Sequence, residues 1–279
     1  MLSIFYGLIS ALTWGIGDFG GGLASRRVGA YRATFYGEAS GLVMLLAAVA
    51  LVGGPLPSPV SWAWCAAAGI SGALGLLLFY RALAAGPMSV AAPVSALTAA
   101  ALPVVFSALT EGLPAVTKYL GFALALVSIW LISQEAGNRK KLNVHLADLR
   151  LPLISGIFFG VYFILIHQGS REATLWPLIA ARITGSLVLF FVALSQRQAG
   201  PPQLPHWPVV MLNAVGDIGG NTFYILAAQT GRLDVAAVLG SLYPGTTVLL
   251  AALFLRERLS RLQWIGVAAA LGAILLMTL

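Results

Sequence analysis

Charged side chains are scarce in this sequence. Asp, Glu, Lys and Arg make up 9% of its 279 residues, whereas hydrophobic residues make up 59%. No segment is long or polar enough to form a separate soluble domain. A run of about 20 apolar residues spans the ~30 Å hydrocarbon core of a bilayer. The composition therefore predicts an integral membrane protein.

Several functional groups are also missing. Cys65 is the single cysteine, which excludes an internal disulfide. No His, Cys and Asp cluster has metal-ligand spacing, and no Ser, His and acid share one predicted depth. We therefore expect no enzyme and no metal or other cofactor. The N-terminus lacks the basic start and small-residue cleavage site of a signal peptide, and we interpret it as a first span.

Ten apolar stretches follow one another with short polar gaps. Only helices and closed barrels satisfy their backbone in lipid, and too few segments alternate strongly to build a barrel. We therefore predict an all-α membrane protein with ten transmembrane helices, at 3–24, 32–52, 60–80, 89–109, 116–134, 151–168, 175–196, 207–229, 235–255 and 262–279.

The longest polar stretch, Gln134 to Arg150, divides the chain into two halves of five spans. We take 1–134 and 151–279 as two repeats joined by a cytoplasmic loop at 135–150. Their features align as Ser10–Gly15 with Ser155–Gly160, Phe79-Tyr80 with Phe223-Tyr224, and Glu111 with Glu257, at offsets of 145, 144 and 146. Weak similarity at one consistent offset is typical of transporter repeats. Because five is odd, the second repeat is predicted to be inverted.

Basic residues predict the orientation, because cytoplasmic loops carry an excess of Lys and Arg. Twelve of them lie in or beside the loops that follow odd-numbered spans, and only Lys118, Arg171 and Arg232 lie on the opposite side. Both termini are therefore predicted outside. The net charge of +7 is explained in the same way, so we expect no nucleic-acid partner.

Three carboxylates fall within predicted spans: Asp18, Glu38 and Asp217. A charge at the bilayer centre costs about 2.5–3.5 kcal/mol on insertion scales, so such residues face the bundle interior or a water-filled cavity. Asp18 and Glu38 are expected about 10 Å from the same face, where they could share a proton or a cation. Asn221 lies one turn beyond Asp217 on the same helix face. The alternative for each is a hydrogen bond between helices.

Arg182 is the only basic residue well inside a span, and the repeat alignment pairs it with Glu38. His167 is expected at a similar depth on the same outer side. The two vestibules are thus predicted to differ in charge, acidic towards the cytoplasm and basic towards the outside. His167 either titrates near physiological pH or caps its helix.

Aromatic residues recur near these charges. Trp14, Tyr80, Tyr224 and Tyr243 could stack on a substrate or hold a cation over a ring face, although Trp and Tyr also crowd membrane interfaces. Pro93 and Pro244 lie in the fourth and ninth spans, where each permits a bend, and we take these helices as candidate gates. Gly15 to Gly20 spells GxGxxG, but no strand precedes it, so a dinucleotide site is excluded.

The chain resembles the ten-span EamA type of the drug/metabolite transporter superfamily. The resemblance rests on Trp14-Gly15, the paired Phe-Tyr, Ser241 to Pro244 and Arg256 to Leu259, and it covers essentially the whole chain. It implies two inverted repeats, a central cavity and alternating access. Relatives often carry Arg at the position of Glu38, which weakens the case for an anionic or simple amino-acid substrate.

These features predict a bacterial inner-membrane secondary transporter of a small organic metabolite, such as an amine or amino acid, driven by proton coupling or exchange. A lipid or lipid-linked-sugar flippase on the same scaffold is the alternative. Expected partners are the substrate, membrane lipid and a coupling proton. We expect a monomer, since ten spans close a cavity without a second chain.

Overall fold

A computed structural model describes residues 1–85, 88–132, 146–198, 200–255 and 260–278. Within these ranges the chain is helical and contains no strand. A 3₁₀ turn at Leu204–His206 precedes the eighth helix. The α-helices are α1 Leu2–Val28, α2 Ala30–Val52, α3 Pro59–Ala85, α4 Met88–Thr110, α5 Val116–Ile132, α6 Leu146–Gly169, α7 Leu175–Ser195, α8 Trp207–Thr230, α9 Leu233–Gly240, α10 Tyr243–Leu255 and α11 Arg261–Thr278.

Within the described ranges, six helices are long and apolar enough to cross a membrane: α1, α2, α3, α6, α7 and α8. Shorter apolar helices cover Val94–Thr110, Val116–Ile132 and Arg261–Met277. Large apolar side chains such as Phe191 and Leu253 point outwards, with 64% and 72% of their surface exposed. An apolar exterior around a helical bundle suits lipid, so the chain is a multi-pass membrane protein.

The predicted ninth span, 235–255, is not one helix. It breaks into α9 and α10 at a turn over Ser241 and Leu242. Pro244 has no N–H to donate to Gly240, and its ring would clash with the carbonyl of that residue. The helix therefore ends at Gly240 and restarts at Tyr243, where we had expected only a bend.

The first two helices approach each other more closely than predicted. A single residue, Gly29, separates α1 from α2, with φ of 88°. Glycine adopts this conformation without a steric cost. Because α2 begins at Ala30 rather than 32, its side chains lie about 3 Å deeper than the sequence had indicated.

The core is built from helix pairs: α1 packs on α8, α3 on α6, α4 on α6, and α5 on α11. The α1–α8 pair is backbone to backbone, since a Cβ atom on Gly17 would lie 2.9 Å from the Asp217 nitrogen. Small residues permit this approach in membranes. The glycines of the GxGxxG string thus lie inside α1 and pack against other helices.

Candidate functional site

A cavity lies among α1, α2, α3, α6, α7, α8 and α10. One part of its wall is charged or polar, one part is aromatic or bulky, and the remainder is made of small residues. The lining consists of Asp18, Glu38, Tyr162, Arg182, Asp217, Asn221 and Tyr243; Trp14, Leu76, Phe159, Phe163 and Leu178; and Gly69, Gly72, Ala73 and Ala181.

Arg182 is at the centre of the charged wall. Its Nη1 donates to Glu38 Oε1, and its Nη2 donates to Asp217 Oδ2. The three side chains are only 6%, 10% and 16% exposed. Buried charges persist only when each is paired and hydrogen-bonded. The guanidinium therefore joins α7 to α2 and α8 inside the bundle.

This contact corrects the predicted separation of an acidic and a basic vestibule. Glu38 and Arg182 meet directly instead of facing opposite sides. Two features account for the difference: Glu38 lies deeper in α2 than its predicted boundary implied, and the long Arg182 side chain spans the remaining gap. The acidic and basic groups form one layer.

Asp18 lines the same cavity from α1. It forms no hydrogen bond or ion pair with the described residues. Its predicted neighbour Glu38 is engaged by Arg182, so a shared proton between the two carboxylates has no support in this geometry. The part of the lining that the structure describes thus contains three carboxylates and one guanidinium, and of these four groups only Asp18 is without a partner.

A short polar chain continues from Asp217 along α8. The Asn221 amide donates to the Asp217 carbonyl over 2.7 Å, and Tyr162 Oη donates to Asn221 Oδ1. Asp217 and Asn221 both line the cavity, as their four-residue spacing predicts for one helix face. Tyr162 from α6 holds the Asn221 amide in place.

The predicted aromatic residues divide into two layers. Trp14 and Tyr243 line the cavity. Tyr80 and Tyr224 are fully buried behind it. Tyr224 stacks on Phe163 at 4.6 Å between ring centroids and lies 5.6 Å from Trp14, so it supports two lining rings. Tyr80 accepts a hydrogen bond from the Asn213 amide.

The candidate gating residues lie apart from the charged layer. His167 is in the last turn of α6 and outside the lining. Pro244 is buried in the first turn of α10, beside the lining residue Tyr243. Pro93 falls within α4, but its side chain is outside the described residues, as is the Arg256–Leu259 segment.

Among the residues that the sequence reasoning missed are Tyr162 and Phe163, which line the cavity, and Asn213, which supports Tyr80. The repeat offset of 145 maps Asp18 onto Phe163 and Gly17 onto Tyr162, so the alignment held the signal for two of them. Asn213 donates to the Gly17 carbonyl over 3.1 Å as well as to Tyr80. Within the described ranges, no group of three or more His, Cys, Asp or Glu side chains could hold a metal ion.

Comparisons with known proteins agree with a membrane transport fold. The EamA-like transporter family matches residues 1–134 and 149–279. An uncharacterized protein of Methanocaldococcus jannaschii is 24% identical over 129 residues, which are 46% of this chain and 94% of that protein. A crystal structure of another protein covers 99% of this chain and 98% of its own, with a TM-score of 0.81 and 19% identity. At that identity the likeness shows a shared fold alone.

Proposed function

This chain belongs to the EamA-like transporter family, and we propose that it is a secondary transporter that moves a small organic metabolite across the bacterial inner membrane by alternating access. The observation that carries the proposal is the central cavity. It contains four charged side chains inside a lipid-facing helical bundle. Intramembrane charges that face a cavity mark substrate or ion pathways.

An inverted repeat of two five-span units is supported by the packing. We take α9 and α10 together as the ninth span and α11 as the tenth. When five is added to each span number, counting on from ten to one, the packed pair α1 and α8 becomes the packed pair α6 and α3. The same shift converts α4 on α6 into α9–α10 on α1, and both members of each pair are in contact. The archaeal relative adds support for a repeat. Its match of 129 residues is 94% of its own length but only 46% of this chain, which is about the length of one five-span unit.

The direction of insertion is proposed from the basic residues. Arg26 and Arg27 lie in the last turn of α1. Gly29, at the end of that helix, lies beside Gln198, whose Oε1 would be 3.3 Å from an added Cβ. The α1–α2 turn and the loop after α7 therefore share one side, as a cytoplasmic face rich in arginine requires. Both termini would then lie outside.

Alternating access needs helices that can part on one side at a time. The α9–α10 pair is our candidate, because the break at Ser241 and Leu242 leaves two short rigid pieces joined by a turn. Tyr243, the first residue of α10, lines the cavity. A hinge movement there would change the shape of the site directly.

The proposal is tested by transport in liposomes containing the purified protein. The probe is the compound that most raises its unfolding temperature, chosen from amino acids, amines, quaternary ammonium compounds and nucleosides. We expect Glu38→Gln and Arg182→Ala to reduce uptake and alter its pH dependence. The exposed Glu172→Gln is the matched control. Unchanged uptake in both cavity variants would refute the site, and movement of labelled lipid without uptake of any compound would favour a flippase.

A further inference from the structure

The charges of the cavity limit the class of substrate. Among the described residues, its lining contains Asp18, Glu38 and Asp217, and Arg182 is the only basic one. With all four ionised, the wall carries a formal charge of −2. In a low-dielectric bundle this field favours a cation and repels an anion.

The positive charge of Arg182 is already engaged by carboxylates of the protein. Each of its two terminal nitrogens already donates to a carboxylate of the protein, one from α2 and one from α8. An anionic or zwitterionic ligand would bring a further carboxylate to a single guanidinium whose positive charge is already outweighed by Glu38 and Asp217. The geometry therefore disfavours amino acids as well as organic anions.

Asp18 is the group that a ligand can satisfy. It faces the cavity from α1 without a hydrogen-bonding partner among the described residues. Tyr243, which is only 6% exposed, lines the same cavity from α10. A carboxylate and a hydroxyl oxygen can both accept a hydrogen bond from an ammonium group.

Aromatic rings complete the environment of Asp18. Trp14 precedes it by one helical turn on the same face of α1, and Phe159, Tyr162 and Phe163 project from α6. Ring faces attract organic cations, and most strongly where the site is shielded from water. A Cβ atom on Gly72 would lie 2.9 Å from the Tyr162 ring, so α3 packs directly against this ring.

We propose that the transported compound is an organic cation without a carboxylate, an aromatic or alkyl amine or a quaternary ammonium compound, and that Asp18 is its counter-ion. This rests on the proposed transport function and names its substrate class. Glu38, Arg182 and Asp217 then form a wall of mutually paired groups with a net formal charge of −1, and Asp18 supplies the unpaired binding charge.

Three ligands with one shared ring provide the test: phenethylamine, phenylalanine and 3-phenylpropionate, which are a cation, a zwitterion and an anion. Binding to the purified full chain is measured by thermal stabilisation and by titration calorimetry, with tetraethylammonium as the quaternary probe. We expect a cation to bind, and the zwitterion and the anion to bind at least about tenfold more weakly. A charge left unpaired in the site costs enough free energy to weaken binding by about this factor.

Variants at Asp18 separate a binding role from a structural one. Asp18→Asn should weaken binding of the cation by about tenfold or more, Asp18→Glu should retain most of it, and Glu172→Gln should leave it unchanged. Size-exclusion profiles verify that each variant is folded. Preference for phenylalanine or phenylpropionate, no binding of either cation, or equal binding by Asp18→Asn would overturn the inference while leaving transport intact. Absence of transport of every compound, with lipid movement instead, would overturn the proposed function itself.

Discussion

Two arginines, Arg182 and Arg232, each bind carboxylates, but in different settings. Arg232 lies between α8 and α9, and its side chain is 25% exposed. It pairs at 2.8 Å with Asp234, only two residues away, and donates to the Gly112 carbonyl over 2.8 Å. Arg182 instead bridges side chains from two other helices and is almost fully buried.

The difference shows which cluster is structural and which is available for function. Arg232 is satisfied largely by backbone carbonyls and a sequence neighbour, so it fastens the α8–α9 turn to the end of α4. The hydrogen bonds that the Arg232 guanidinium donates to Asp234 raise the pKa of the guanidinium further, which keeps the clamp charged. Arg182 is satisfied only by side chains that line a cavity. Side-chain partners on two other helices can separate from Arg182 when those helices move relative to α7. The backbone carbonyls that bind Arg232 change position only when the end of α4 itself moves.

The largest effect is expected from removing Arg182. Arg182→Ala leaves two buried carboxylates unpaired, and breaking a buried ion pair costs about 3–5 kcal/mol. We expect a large fall in the unfolding temperature in detergent. Neutralising both partners as well, in Arg182→Ala/Glu38→Gln/Asp217→Asn, should restore much of it. A single variant as stable as the wild type would contradict the buried triad.

A smaller effect is expected where α1 and α8 touch. Gly216 precedes Asp217, and a Cβ atom there would overlap the backbone of Gly17. Overpacking of this kind costs about 1–3 kcal/mol. Gly216→Ala should therefore lower stability and shift Asp217 from Arg182, reducing transport. Gly219→Ala is the matched control, since its Cβ would meet only the Thr13 side chain, at 3.2 Å. Equal effects of the two would show that the close approach is unimportant.

The smallest effect on transport is expected at Arg232. Arg232→Ala removes hydrogen bonds from a charged donor, a loss of about 1–3 kcal/mol of stability. Because the residue is distant from the lining, the KM for transport should stay unchanged at temperatures where the variant is folded. Arg232→Lys, which retains the charge but not the forked geometry, should recover part of the stability. A raised KM in either variant would place the clamp in the transport site.

Much of the architecture follows from the sequence, and the local pairing does not. Hydrophobic length predicts membrane helices, and the cost of intramembrane charge singles out Asp18, Glu38, Arg182 and Asp217. Contact between Glu38 and Arg182 was missed because depth was counted from helix ends placed two residues away from the observed ones. Helices that are apolar on nearly every face carry little information about which face points inward. Asn213 therefore became recognisable only after packing placed it.

Counterflow tests the central claim most directly. Liposomes containing the purified protein are loaded with the unlabelled compound selected by thermal stabilisation, and uptake of the labelled compound is followed. A transporter with one central, alternately exposed site predicts a transient overshoot that grows with the internal concentration and then saturates, and that is lost in Arg182→Ala. Uptake that is independent of the internal compound would contradict alternating access through this cavity.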